Sequence, residues 1–255
     1  MDTLEAAAVL AAGVAAGGIN TLVGSGSLIT FPTMVALGFP SVAANVSNNI
    51  GLVSGSATGA YGYRAELRGQ RGRLLRLSSA SLAGALIGAV LLFALPGKAF
   101  DFIVPVLIVI ALALVVAQPR LQRWVLARRE RSVPHGGPWL WIGVLLAGVY
   151  GGYFGAAQGI VLIGLLGIAL DDDLQRVNAA KNVLSAIVNG TAAVVFVVAW
   201  ALGAVQVVWT AVLLIAVGST LGGVLGAKVG RRVPAPVLRG VIVVVGLVAL
   251  WKFLS

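Results

Sequence analysis

Cysteine is absent from the 255 residues, so neither a disulfide framework nor a thiolate metal site can form. Histidine occurs once, as His135 in a Pro/Gly segment, where solvation is its simplest role. Charge is scarce: Asp, Glu, Lys and Arg make up 10% of the chain against 59% apolar residues, with a mean hydropathy of +1.02. That leaves too little polar side chain to cover a soluble globule, so the solvent must be lipid. The eight acids, Asp2, Glu5, Glu66, Asp101, Glu130, Asp171, Asp172 and Asp173, all lie at the ends of apolar runs or between them. A proton relay normally needs a carboxylate or histidine inside the bilayer, so proton antiport through a buried acid finds no support. The same lack removes the constellations an integral-membrane enzyme would need; no enzymatic activity and no cofactor are expected. Basic residues are also missing from the N-terminus, where Asp2 and Glu5 stand, so residues 4–23 are expected to be mature structure rather than a signal peptide.

What the chain has is a duplication. Gly26, Ala36, Leu37, Asn45, Asn49, Thr58 and Ala60 recur as Gly159, Ala169, Leu170, Asn178, Asn182, Thr191 and Ala193, 133 positions on. Ser81, Gly84, Gly88, Ala89 and Pro96 recur as Ser219, Gly222, Gly226, Ala227 and Pro234, 138 positions on. Duplicated halves in so apolar a chain suggest a transporter built from repeats. The organisation expected is a first repeat over 1–117, a basic linker over 118–137 and a second repeat over 138–255, forming one transmembrane domain.

Apolar runs cover roughly 4–38, 41–63, 74–95, 100–117, 139–170, 174–200, 206–227 and 236–254. Most approach the ~20 residues of a spanning helix. The first and fifth are too long, and each is interrupted, at Gly24-Ser25-Gly26 and at Ala157-Gln158-Gly159, where small residues can release the helical ladder. The net charge of +10 is bunched between runs, which encodes membrane orientation rather than nucleic-acid binding. Clusters lie at Arg64, Arg68, Arg71, Arg73 and Arg76, at Arg120, Arg123, Arg128, Arg129 and Arg131, and at Lys228, Arg231, Arg232 and Arg239.

With all three clusters cytoplasmic, the fifth to seventh runs must cross the membrane an even number of times in total. The broken fifth run is therefore a hairpin or re-entrant pair, and by repeat logic so is the first. Equivalent loops also carry opposite charge: 63–77 is Arg-rich while 200–206 has no charge. The fold expected is thus an all-α polytopic membrane protein of two inverted-topology repeats, each a broken hairpin plus three transmembrane helices. Both termini lie outside and 15 of the 18 cations inside, with only Lys181 in the membrane.

Gly84-x-x-x-Gly88 and Gly222-x-x-x-Gly226 are read as helix packing. Matching breaks in two repeats instead point to a midplane binding site. Each break exposes backbone N–H groups at the start of its second arm, expected near Ser27 and Ile160, and such ends attract anions. Candidate ligands at the breaks are Ser25, Gly26, Ser27, Gln158 and Gly159. The following helices add Asn45, Asn48 and Asn49, with Ser47 beside them, and Asn178, Lys181 and Asn182. The pairs Asn45/Asn49 and Asn178/Asn182 are spaced i,i+4 on one helical face. These amides either tie helices together or bind substrate. Lys181 either reaches back to the surface or to Asp172 and Asp173, or it balances an anion; a charge at that depth costs roughly 2.5–3.5 kcal/mol. The triplet Asp171-Asp172-Asp173 is read as helix capping. The partners expected are a small anion and the lipid bilayer; a coupling ion and homo-oligomerisation stay open.

Two long motifs carry a resemblance. The stretch Gly17-Gly18-Ile19-Asn20-Thr21-Leu22-Val23-Gly24-Ser25-Gly26-Ser27-Leu28-Ile29-Thr30-Phe31-Pro32, followed by Leu37-Gly38-Phe39-Pro40 and Ala44-Asn45-Val46-Ser47-Asn48-Asn49, resembles the TauE/SafE sulfite exporter family. So do Gly148-Val149-Tyr150-Gly151-Gly152-Tyr153-Phe154-Gly155-Ala156-Ala157-Gln158-Gly159 and Arg176-Val177-Asn178-Ala179-Ala180-Lys181-Asn182 in the second half. The resemblance covers essentially the whole chain. It implies an inner-membrane transporter of sulfite, organosulfonates or related sulfur-containing anions, often an exporter. An anion channel or uniporter with the same site is the alternative. The second repeat has Ala157-Gln158-Gly159 where many members have a run of glycines, which makes the Gln158 amide a candidate ligand.

Overall fold

A computed structural model of the chain describes residues 1–95, 97–127, 137–170, 172–229, 240, 242–245, 247–248 and 250–251. The expectations resting on Arg128, Arg129, Arg131, Glu130, His135, Asp171, Arg231, Arg232, Arg239 and Lys252, and on much of the run 236–254, fall outside the described residues.

Every regular element among the described residues is a helix, nine of them continuous: α1 Thr3–Leu22, α2 Ser27–Ala36, α3 Ser41–Gly62, α4 Arg71–Ala94, α5 Gly97–Ala127, α6 Gly137–Tyr153, α7 Gln158–Ala169, α8 Leu174–Ala201 and α9 Trp209–Val229. Residues 240, 242–245, 247–248 and 250–251 are helical as well. Five segments, in α1, α4, α5, α8 and α9, are long and apolar enough to cross a membrane. Helix α3 matches them in length at 22 residues but is polar inward, burying Asn45, Ser47, Asn48, Asn49 and Ser56. Helix α5 runs past the apolar stretch 100–117 into the basic segment, reaching Ala127 despite Pro105 and Pro119.

Capping sets several ends. Asp2 accepts from the Glu5 N–H and Glu5 reaches back to the Asp2 N–H, a capping box that starts α1. Asp173 accepts from the N–H groups of Gln175 and Arg176 and starts α8, the structural role expected of it. Asp172 is ion-paired to Arg73 and to Arg176 Nε, the latter at 2.8 Å.

Small residues let helix backbones touch. A methyl on Gly84 would meet the backbone of Leu145 and Val149, and one on Gly88 that of Val149 and Tyr153, so α4 packs directly along α6. Gly222 likewise rests on Val14 and Gly18, and Gly226 on Gly18, joining α9 to α1. The order of these contacts, Gly13 with Ile215, Gly17 with Ser219 and Gly18 with Gly226, means that α1 and α9 run in the same direction. Gly51, Gly55 and Gly62 meet Ile215, Ser219 and Ala227, so α3 runs with them.

Two ends of the bundle follow from polar contacts. At one, Arg176 Nη1 donates to the Arg68 carbonyl at 3.1 Å, Arg76 Nη2 to the Gly137 carbonyl at 2.8 Å, and Asp172 joins Arg73 to Arg176. The starts of α4, α6 and α8 gather there. At the other, Ser41 donates to Asp101, the Val208 N–H donates to Ser47 Oγ at 2.9 Å, and Trp200 meets Trp209 edge-on at 4.9 Å. That end holds the starts of α3, α5 and α9.

Candidate functional site

Both long apolar runs are broken. Helix α1 stops at Leu22, with the N–H groups of Val23 and Gly24 both turning back to the Ile19 carbonyl, at 2.7 and 3.1 Å. Gly24 is left-handed (φ +85°), the usual way for a helix to stop. The chain then folds back: a methyl on Gly26 would strike the Ala16 carbonyl and the Asn20 side chain, so α2 returns alongside α1.

The second break uses the same device two residues earlier than the 133-residue offset places it. Phe154 and Gly155 N–H groups turn back to the Tyr150 carbonyl, at 3.0 and 3.1 Å, with Gly155 left-handed (φ +79°). Ala157, the counterpart of Gly24, is also left-handed (φ +60°). This corrects the expected second arm: α7 starts at Gln158 rather than near Ile160, because Gly155 supplies an earlier stop. The Ile160 N–H is engaged by the Ala157 carbonyl at 3.0 Å.

The arms that follow are short. Helix α2 has 10 residues and α7 has 12, about 15 and 18 Å long, against ~30 Å of hydrocarbon. Neither can span it: each starts at its break inside the bundle and leads back to an end, α2 toward the start of α3 and α7 toward the start of α8.

The two breaks touch. The Gly159 N–H donates to the Gly24 carbonyl at 3.0 Å, and a methyl on either glycine would collide with the other's backbone. Phe31 of α2 packs edge-on against Phe154 at 5.2 Å, and Phe100 closes over Tyr153 and Phe154.

The amides of the third helix in each repeat bind the broken helix of the other repeat. Asn45 Nδ2 donates to the Tyr153 carbonyl at the end of α6, at 3.0 Å. Asn178 and Asn182 donate to the Thr21 carbonyl at the end of α1, at 3.2 and 3.3 Å. Lys181 is fully buried and, among the described residues, pairs with no acid: its Nζ donates to the carbonyls of Asn20 at 2.8 Å and Thr21 at 3.3 Å. Its stem lies against Gly159. Asn48, aligned with Lys181, accepts from the Thr30 hydroxyl instead.

Four candidate ligands keep a buried polar atom without a hydrogen-bond partner among the described residues: Ser25 Oγ, Asn49 Oδ1, Gln158 Nε2 and Asn178 Oδ1. Ser25 follows Gly24 and Gln158 precedes Gly159, so one unpartnered donor flanks each side of the contact between the breaks. The Gln158 amide lies over Gly151. Ser27 comes close to Gly155, and Gly26 serves the hairpin turn.

Several residues at the site were not singled out from sequence. Asn20 and Ser56 form a side-chain hydrogen bond at 3.2 Å, and Asn189 donates to the same Ser56 Oγ at 2.8 Å. Ser56 and Asn189 are 133 positions apart, so extending the duplication one more step would have found them. Asn178, Asn182, Ser185 and Asn189 share one face of α8 at spacings of four, three and four, and all are buried. The carbonyls of Asn20, Thr21 and Tyr153 carry no side-chain signature, and only the fold reveals them as acceptors.

The sulfite exporter TauE/SafE family matches residues 9–253. The chain is 29% identical to the probable membrane transporter protein ORF9 of Sinorhizobium sp over 244 residues, covering 94% of this chain and 88% of that protein. It is 25% identical to the probable membrane transporter protein YfcA of Escherichia coli K12 over 244 residues, covering 94% and 86%. No solved structure matches it. A duplicated, multi-pass helical bundle with two broken helices meeting in its interior, matched by this family almost end to end, therefore belongs to the sulfite exporter TauE/SafE family of membrane transporters.

Proposed function

We propose that the protein is a secondary carrier that exports sulfite, an organosulfonate or a related small sulfur-containing anion across the inner membrane, by alternating access of two inverted repeats. The observation that carries this reading is the meeting of the breaks at Gly24 and Gly159, flanked by the unpartnered buried donors Ser25 Oγ and Gln158 Nε2. Two donors with no protein partner, buried beside re-entrant helix starts, suit an anion that brings its own acceptors. Gly26, Ser27 and Gly159 let the backbone approach it. Lys181 supplies the positive charge, and Asn45, Asn48, Asn49, Asn178 and Asn182 line the two sides.

Inversion is supported by how the helices enter the bundle. Helix α6 starts among Arg68, Arg76 and Arg176, whereas its counterpart α1 runs with α9, which starts at the opposite end beside Trp200. The first helix of each repeat packs along the fourth of the other, α1 on α9 and α6 on α4. Such an exchange gives each break a partner that can trade places with it. The Arg-rich end is the cytoplasmic one by the bias of Lys and Arg.

Direct backbone contact between the breaks suits a carrier that closes around its cargo better than a standing pore. Purified protein in proteoliposomes is expected to show saturable sulfite flux accelerated by sulfite on the opposite side. Linear flux with large unitary currents would identify a channel, and no response to sulfite, taurine, sulfoacetate or thiosulfate in flux or melting would overturn the anion reading.

A further inference from the structure

The last carbonyls of a helix carry its negative end, and in carriers with broken helices such ends hold a coupling cation. Here the end of α1 already holds one. Lys181 Nζ lies 2.8 Å from the Asn20 carbonyl and 3.3 Å from the Thr21 carbonyl, with none of its surface exposed. The nearest acids in sequence are committed elsewhere, Asp172 to Arg73 and Arg176 and Asp173 to the start of α8. The Thr21 carbonyl also draws the amides of Asn178 and Asn182, and Asn178 Oδ1, on a side chain more than nine-tenths buried, has no hydrogen-bond partner. The site thus offers two helix-end carbonyls, hard oxygen donors of the kind that hold a monovalent cation, and among the described residues no carboxylate pairs with the ammonium.

We propose that the carbonyl end of α1 is a monovalent-cation site whose resident ion is the Lys181 ammonium, carried by the chain itself, so that the transporter works without sodium and becomes a sodium-binding protein when this lysine is removed. The ammonium is held at both ends of its reach. Its stem lies on Gly159 at the second break while its head neutralises the first, so the same side chain ties the two breaks together. Sodium, unlike the lysine, could leave with the cargo; a tethered charge cannot, and this separates an uncoupled or exchange carrier from a sodium-driven one. The proposal deepens the two-break reading of the site. Its test contains no candidate substrate, so its failure and the failure of anion transport are distinguishable.

Thermal unfolding of the full chain in detergent is compared in sodium, potassium, choline and ethylammonium chlorides at matched ionic strength, for the wild type and for Lys181→Ala. The wild type is expected to melt at one temperature in all four salts. Lys181→Ala is expected to melt lower in choline and to recover by about 3 °C or more in sodium or ethylammonium, since only a ligand of the folded state stabilises it. Recovery of folded Lys181→Ala only when ethylammonium is present during purification supports the proposal equally. A wild type stabilised by sodium over choline would overturn it whatever the variant does. So would a folded Lys181→Ala indifferent to all four cations, or a Lys181→Met variant, filling the same volume without charge, that melts like the wild type in choline.

Discussion

Gly159 donates its backbone N–H to the carbonyl of Gly24 at 3.0 Å, and neither residue leaves room for a methyl group against the other. Two interrupted helices from opposite halves of the chain thereby share one backbone contact. Side chains cannot enter it, so on the proposed reading cargo is admitted only when the two backbones part.

Gly24→Ala and Gly159→Ala should each abolish sulfite counterflow in protein that still inserts. A methyl at Gly24 suffers twice, from the Gly159 backbone and from its own left-handed geometry (φ +85°). Ala157 already tolerates that geometry at φ +60°, but Ala157→Val should not, because a β-branched residue there adds strain of roughly 1–3 kcal/mol. Its melting temperature should fall while Ala157→Gly stays folded.

Ser25→Ala and Gln158→Leu should separate binding from folding. Their buried donors have no protein partner, so removing them costs the fold little, whereas each donor to an anion contributes about 1.5–3 kcal/mol, near tenfold or more in affinity. Anion-dependent melting shifts should shrink while the ligand-free melting temperature holds. A lowered ligand-free melting temperature with unchanged shifts would make both residues structural.

Asn45→Ala should do the opposite first. Its amide satisfies the Tyr153 carbonyl at the end of α6, and leaving that carbonyl unpaired should cost about 1 kcal/mol, between the membrane average of ~0.6 and the soluble range of ~1–3. Asn178→Ala should cost less, because the Thr21 carbonyl keeps Asn182 and Lys181. Melting of both variants without anion tests the order.

Acid should loosen the Arg-rich end. Burial acts to raise the Asp172 carboxyl, but hydrogen bonds from Arg176 and Arg73 and the charges of both guanidiniums outweigh it and hold the carboxyl below its usual value. A carboxyl lowered by folding stabilises the fold above its unfolded pKa of about 3.9, and that stabilisation is lost as pH falls through the lower folded value. The wild-type melting temperature should therefore drop below about pH 4. Asp172→Asn should start lower at neutral pH and lose less on acidification; parallel curves would show that another acid dominates.

Much of the candidate site was legible in the sequence because duplication marks positions by arithmetic. The breaks, the Asn pairs and the embedded Lys181 all surfaced that way, and Gly84, Gly88, Gly222 and Gly226 proved to be the close helix contacts their spacing suggests. The arithmetic failed where local chemistry differed between halves. Gly155 has no glycine counterpart at Leu22, so the second break slid two residues toward the N-terminus and left Ile160 inside the first turn of α7.

Composition and duplication by themselves determined that the chain is a helical membrane bundle, that it holds two copies of one unit, and, to within two residues, where each copy is interrupted; these depend on solvent transfer and local backbone freedom. Which partners the buried polar groups take was decided only by tertiary structure. Lys181 lies 161 and 160 residues along the chain from the carbonyls it binds, and those carbonyls belong to Asn20 and Thr21 through their backbone alone. A main-chain acceptor is common to every residue, so only the stopping of α1, and the packing that brings α8 against it, makes that pair of oxygens different from all the others.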